Sequence, residues 1–182
     1  RKTSVCFSAQ FLGKVRLETD INVSSEFARI DLAGDELFEH PFAIMTGEGA
    51  FDLTDEESDR LRAYVTGGGF LLASAGCSNR SWAASMREAI ARALPEWELT
   101  ELSPEHPAFQ TIFAVKDFMG TKHGREARLL GIEIDGRLAL IFTPQGLNDT
   151  RNAERGCCCC GGNELRNAQY INANVLAYAL MR

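Results

Sequence analysis

Four consecutive cysteines, Cys157, Cys158, Cys159 and Cys160, stand between Gly156 and the pair Gly161 and Gly162. Thiolates are nucleophiles, redox groups and ligands for soft metals. Backbone geometry limits what four adjacent thiols can do together. In an extended segment alternate side chains face opposite ways, and in a helical turn only residues three or four apart share a face. Cys157 with Cys160, or an alternate pair such as Cys157 with Cys159 or Cys158 with Cys160, can reach one ion. The remaining sulfurs bridge to a second metal or face elsewhere, and further ligands must come from outside the run. Zinc or an iron–sulfur cluster needs those outside ligands, whereas Cu(I) accepts two or three sulfurs and bridges through them. Bonding adjacent cysteines to one another closes almost no loop and adds little stability. Chemistry is thus the expected role of the run, with thiol redox or a vicinal disulfide as the alternative.

The outside ligands with suitable chemistry are Cys77, in "AGCSN", and His106, in "SPEHPAF"; Cys6 is a weaker candidate. Each has a plainer reading, Cys77 as a small buried thiol and His106 as a loop-shaping residue. Asn163 and Glu164, just after the run, are expected to cap a helix or to orient the thiols. That helix start would also favour thiolates. Gly47 and Glu48 in "TGEGAF" are expected to line the same pocket. Asn148, Asp149 and Asn152 read as loop-holding residues. His40 precedes a strand at its amino end, on the wrong side of a sheet for a site, and His123 reads as solvated.

These residues need elements to position them. "FAIMT" (42–46) and "FLLAS" (70–74) are short apolar runs of the kind found in buried parallel strands. Between them, 54–69 reads as a helix, with Thr54 and Glu57 as a capping box and Gly67 to Gly69 as its stop. Residues 81–94 read as an amphipathic helix with Trp82, Met86, Ile90 and Leu94 inward, ended by Pro95. "WELTEL" (97–102) alternates like a strand. Residues 127–144 read as a hairpin around Asp135 and Gly136. A polar loop over 145–162 leads to a last helix with Leu165, Ala168, Ile171, Val175, Leu176 and Ala179 inward. The expectation is one α/β domain over 1–182, a three-layer α/β/α sandwich with a mainly parallel sheet. Ligands then belong at the carboxyl ends of the strands, where the loops after 46, 74 and 144 leave.

"HPFAIMTGEGAFDLTDEESDRLRAYVTGGGFLLAS", "EHPAF", "DGRLALIFTPQGLND" and "CCCCGGNELRNAQYINANVLAYAL" resemble the bacterial family named domain of unknown function 4159, from about residue 19 to the end. The resemblance implies a class I glutamine amidotransferase-like, flavodoxin-like fold, and an exported or periplasmic setting. It implies no established activity. Amidotransferase relatives place a catalytic cysteine at a turn comparable to that of Cys77, so Cys77 and His106 become candidate catalytic residues. The chain departs from the nucleophile pattern, because Asn79 stands where a second glycine belongs and no His-x-Glu pair follows. It also has "SAGCSN" where many members carry an acidic pair.

Composition narrows the remaining classes. The chain has 182 residues, 45% hydrophobic and 24% charged, with net charge −6, which fits a globular core and offers no basic surplus for nucleic acid. No run approaches the length of a membrane span. The first fifteen residues show no apolar signal region, and a start at Arg1 reads as a processed or trimmed form. The expected function is a binding domain with a thiolate site for a soft transition metal (Cu, Zn) or an Fe–S type cluster. Its expected metal ligands are Cys157, Cys158, Cys159, Cys160, Cys77 and His106. A Cys-dependent enzyme, hydrolase or amidotransferase-like or thiol redox, is the rival. A non-catalytic interaction module of an envelope complex, bound to a protein partner, is the third reading.

Overall fold

The computed structural model describes residues 6–120, 126–149, 152 and 165–181. Five strands form one open sheet in the order β1-β2-β5-β4-β3: β1 (Phe42–Gly47), β2 (Phe70–Ala75), β3 (Thr100–Glu101), β4 (Leu130–Ile134) and β5 (Arg137–Thr143). β2 pairs in parallel with β1 and β5, while β4 is antiparallel to both β5 and β3. Four strands thus run one way and β4 runs against them. The β4–β5 turn is the expected one: Asp135 and Gly136 both take positive φ, 51° and 72°.

Helices cover both faces. α2 (Asp55–Thr66) and α3 (Arg80–Ala93) bury Leu61, Val65, Trp82, Met86 and Ile90 against Leu71, Ala73, Leu140 and Phe142. α1 (Gln10–Glu18) and α4 (Ala168–Leu180) bury Phe11, Val15, Ile171 and Val175 against Phe70, Leu72, Leu138 and Ile141. β2 separates the two cores by strict alternation and is buried throughout, as its continuous apolar run requires.

Local signals explain most boundaries. Thr54 accepts from the Glu57 amide at 3.1 Å while the Glu57 carboxylate accepts from the Thr54 amide at 2.8 Å, a complete capping box. Three elements differ from the sequence expectation. "WELTEL" pairs only at Thr100 and Glu101, because the alternation has a sheet partner for two residues alone. α1 carries no side-chain cap and no acidic first turn, so nothing local announces it; burial of Phe11, Leu12 and Val15 holds it. α4 begins at Ala168, five residues beyond the expected cap at Asn163, which lies outside the described residues.

Tyr64 ties helix to sheet. Its hydroxyl donates to the His40 carbonyl at 2.8 Å, with the Phe70 carbonyl at 3.3 Å, so one phenol clasps the starts of β1 and β2. Burial raises its pKa above the usual phenol value. Tyr64→Phe should cost about 1 kcal/mol in urea unfolding at neutral pH. The phenol's contribution is complete below an unfolded pKa of about 10 and is lost as pH rises above it. Above about pH 10 the wild type should therefore lose stability faster than Tyr64→Phe.

Candidate functional site

Three loops leave the carboxyl ends of β1, β2 and β5, and the backbone is drawn tight there. A Cβ on Gly76 would lie 2.8 Å from the Gly47 carbonyl oxygen, and one on Gly146 would lie 2.3 Å from that of Ala75. Gly146 also has φ +92°, a region glycine enters freely and other residues do not. Side chains lock the loops together. The Asn79 side-chain oxygen Oδ1 caps α3 by accepting from the Trp82 amide at 2.9 Å, and accepts from the Gly49 amide at 3.1 Å. The Ser78 hydroxyl donates to the Gln145 carbonyl at 2.7 Å, joining the turn after β2 to the loop after β5.

Beneath these loops, on the α1 and α4 side, lies a polar seam. Thr46, Ser74 and Thr143 are register partners across the three parallel strands. The Ser74 hydroxyl donates to Asn148 Oδ1 at 2.8 Å and accepts from the Leu147 amide at 2.9 Å. Asn172 Nδ2 donates to the Leu147 carbonyl at 2.8 Å. Buried polar groups are normally satisfied, yet among the described residues Asn148 Nδ2, Asn172 Oδ1 and Thr46 Oγ1 have no partner. Sequence reasoning missed Asn172. The available signal was an asparagine falling between the inward positions 171 and 175 of α4.

Cys77 stands where the sequence placed it, in the turn between β2 and α3. It is half-buried and left-handed, with φ 50° and ψ 33°, and Ser78 follows at φ 53°. Two successive left-handed residues are unusual outside glycine. Cys6, 3% exposed, and Cys77 are both disulfide-bonded. A sulfur in a disulfide is neither a nucleophile nor a thiolate ligand. The segment after Cys6 reaches the same edge: the Ser8 amide donates to the Asn148 carbonyl and its hydroxyl to the Asn152 carbonyl, both at 2.9 Å.

The expected ligands Cys157, Cys158, Cys159 and Cys160 lie outside the described residues, as do Asn163, Glu164 and His123. The described residues on either side of that stretch belong to one edge. Asn148 leads into it under Ser74, and α4 leaves it with Asn172 bonded to Leu147. The structure therefore brings Cys6, Cys77 and both flanks of the run together. Gly47 ends β1 beside them, against the Trp82 indole, and Glu48 begins the loop that follows, exposed.

His106 is elsewhere. Its ring packs on Tyr178, which packs on Phe70, the first residue of β2, whereas Cys77 follows the last. Six strand residues span about 20 Å. His106 Nδ1 accepts from the Ala108 amide at 3.1 Å, and Nε2 lies 3.4 Å from the exposed Glu133 carboxylate. The structure does not bring His106 to Cys77, and its loop-capping bond matches its plainer reading. Among the described residues no three His, Cys, Asp or Glu side chains form a metal-binding group. Cys157, Cys158, Cys159 and Cys160 would have to supply most of a metal site's sulfurs.

A cleft of about 440 Å³ opens between α3 and the loop after β1, lined by Phe51, Asp52, Ser85, Glu88, Ala89 and Arg92. Arg92 spans it, bonding the Leu53 carbonyl and pairing with Asp52 at 3.2 Å. Proton affinity is shifted instead at two exposed pairs. Glu96 and Glu101 are held below the usual carboxylate range by hydrogen bonds from Arg62 and Arg128 respectively.

Among the described residues no helix is long and apolar enough to cross a membrane. A family model described as a domain of unknown function, DUF4159, matches residues 8–180. No curated protein matches the chain.

Proposed function

The chain belongs to the DUF4159 family, whose model spans nearly its whole length, and from that premise we propose that it is a thiol-based binding domain. In its reduced form, cysteines gathered at the carboxyl edge of the sheet hold a soft transition metal or a metal–sulfur cluster. In its oxidised form the same sulfurs are tied up as disulfides. The observation that carries this reading is the convergence of Cys6, Cys77 and both flanks of the four-cysteine run on one edge. Thiolate softness favours copper(I), zinc or an iron–sulfur cluster over hard cations. Two or three of Cys157, Cys158, Cys159 and Cys160 would supply the main ligands and Cys77 a further one, with Asn163 and Glu164 orienting the thiols. His106 is too far along the sheet to join them.

A class I glutamine amidotransferase-like fold is part of this reading, supported by the strand–turn–helix around Cys77. An amidotransferase reaction is not, because Cys77 is disulfide-bonded and lacks His106 beside it. Disulfides persist in oxidising compartments, which favours an exported setting.

One observation favours a second reading, thiol–disulfide exchange. Cys77 is half-buried in a left-handed turn just before the start of α3, whose positive end stabilises a departing Cys77 thiolate. A dithiol reductant would attack the disulfide, lose two electrons to become a disulfide itself, and leave the protein sulfurs as thiols.

Titrating fully reduced protein with Cu(I) or with Zn²⁺ under argon separates the two. The binding reading predicts stoichiometric uptake with thiolate absorption, abolished when Cys157, Cys158, Cys159 and Cys160 become Ser and when the protein is oxidised first. Uptake no greater than that of the serine variant, with rapid turnover of a dithiol–disulfide couple that Cys77→Ser stops, would select exchange instead.

A further inference from the structure

We infer that the polar seam beneath the carboxyl ends of β1, β2 and β5 is a binding site for one internal water molecule, held by Asn148 Nδ2, Asn172 Oδ1 and Thr46 Oγ1.

The seam lies where an open α/β sheet receives its ligands. α2 and α3, which follow β1 and β2, cover one face, and α4, which follows β5, covers the other. The chain thus leaves the neighbouring strands β2 and β5 toward opposite faces, and ligand sites form at the carboxyl ends of such a pair. Ser74 and Thr143, register partners on those two strands, are fully buried there.

Three unpartnered atoms surround one pair of residues. The Leu147 amide donates to the Ser74 hydroxyl, Asn148 Oδ1 accepts from that hydroxyl, and Asn172 Nδ2 donates to the Leu147 carbonyl. The remaining atom of each asparagine amide is therefore one carbon away from an atom bonded to Ser74 or Leu147. Thr46 stands beside Ser74 on the adjacent strand, at a strand spacing of about 4.8 Å. Asn148 is 1% exposed and Asn172 0%, and Thr46 Oγ1 is buried with them.

Hydrogen-bond roles fix the chemistry of the occupant. The Leu147 carbonyl can only accept, so Asn172 turns Nδ2 to it and keeps Oδ1, an acceptor, for the seam. The Ser74 hydroxyl gives its proton to Asn148 Oδ1, which leaves Nδ2, a donor. The occupant must accept from Asn148 and donate to Asn172, and the Thr46 hydroxyl takes either role. An anion is repelled by Asn172 Oδ1 and a bare cation by the Asn148 amide hydrogens. Water is the smallest neutral group with both roles, which suits a site whose Ser74, Thr143 and Asn172 are each 0% exposed. It makes three bonds here, the usual number for an internal water, and each goes to a group that otherwise lacks a partner. It ties β1 to the loop after β5 and to α4, which lead into and out of the cysteine run.

An atomic-resolution crystal structure of the intact chain tests this. The expected result is one fully occupied water at about 2.7–3.2 Å from Asn148 Nδ2, Asn172 Oδ1 and Thr46 Oγ1. A direct bond between Asn148 Nδ2 and Asn172 Oδ1, an empty site, or density larger than a single water would overturn the proposal. Thr46→Val, a change of nearly constant shape, supplies an independent reading in solution. With the water in place it removes one bond and sets a methyl against the water, so the urea midpoint should fall by about 0.5 M. A midpoint that rises would mean that the Thr46 hydroxyl has no partner at all, and would reject the water. If the variant does not fold, the wild-type crystal structure decides alone.

Discussion

Gly146→Ala should destabilise the protein by about 3 kcal/mol or more, the largest single-methyl effect expected in the chain. Two costs combine. The first is conformational: φ +92° is strained for any residue with a Cβ. The second is steric: the new methyl would lie 2.3 Å from the Ala75 carbonyl oxygen, which belongs to a buried central strand and has little room to retreat. Gly49→Ala separates the two. Gly49 also has positive φ, 80°, but nothing lies within 4 Å of its Cβ position. It should cost only the conformational share, about 1 kcal/mol. Urea unfolding of both variants checks the difference. Equal losses would mean that the loop after β5 is not pinned to β2. Because that loop leads to the cysteine run, Gly146→Ala should also lower metal uptake by reduced protein, and Gly49→Ala should not.

Reduction should be nearly as damaging. A native disulfide contributes typically about 2–4 kcal/mol, and Cys6 and Cys77 are both disulfide-bonded. Cys77 is also held in a left-handed turn followed by another left-handed residue. Melting with and without a phosphine reductant should differ by about 5–15 °C, at roughly 2–4 °C per kcal/mol for a chain of this size. Cys77→Ser in oxidant should fall close to the reduced wild type, and adding reductant should shift it less than it shifts the wild type. Identical melting in both conditions would mean that these bonds contribute nothing to the folded state.

Much of the scaffold was legible because it is written in local signals. The capping box at Thr54 and Glu57, the apolar runs of β1 and β2, and the Asp135–Gly136 turn each act over a few residues. The inward stripe of α3 was legible for the same reason. α1 was not, because its stability comes from Phe11, Leu12 and Val15 meeting α4 and the sheet, not from caps. The site was legible in part. The sequence placed Cys77 and the loop after β5 on one edge, and hydrogen bonds join them there. It grouped His106 with them because histidine chemistry suits the cluster, and spacing along the chain says nothing of position along β2. It read Asn148 as a loop-holding residue but missed the seam that Asn148 shares with Thr46, Ser74, Thr143 and Asn172, whose members come together only across three strands and a helix. It also gave Cys6 least weight, although Ser8 ties that segment to the loop leading to the run.

Native mass spectrometry of the fully reduced chain, exchanged into Cu(I) or Zn²⁺ and compared with the same chain oxidised beforehand, tests the thiol site most directly. The account predicts a mass shift of at least one soft metal ion on the reduced protein and none on the oxidised protein. It also predicts none on the variant with serine at Cys157, Cys158, Cys159 and Cys160. Reduced, folded protein that stays at its metal-free mass would contradict it.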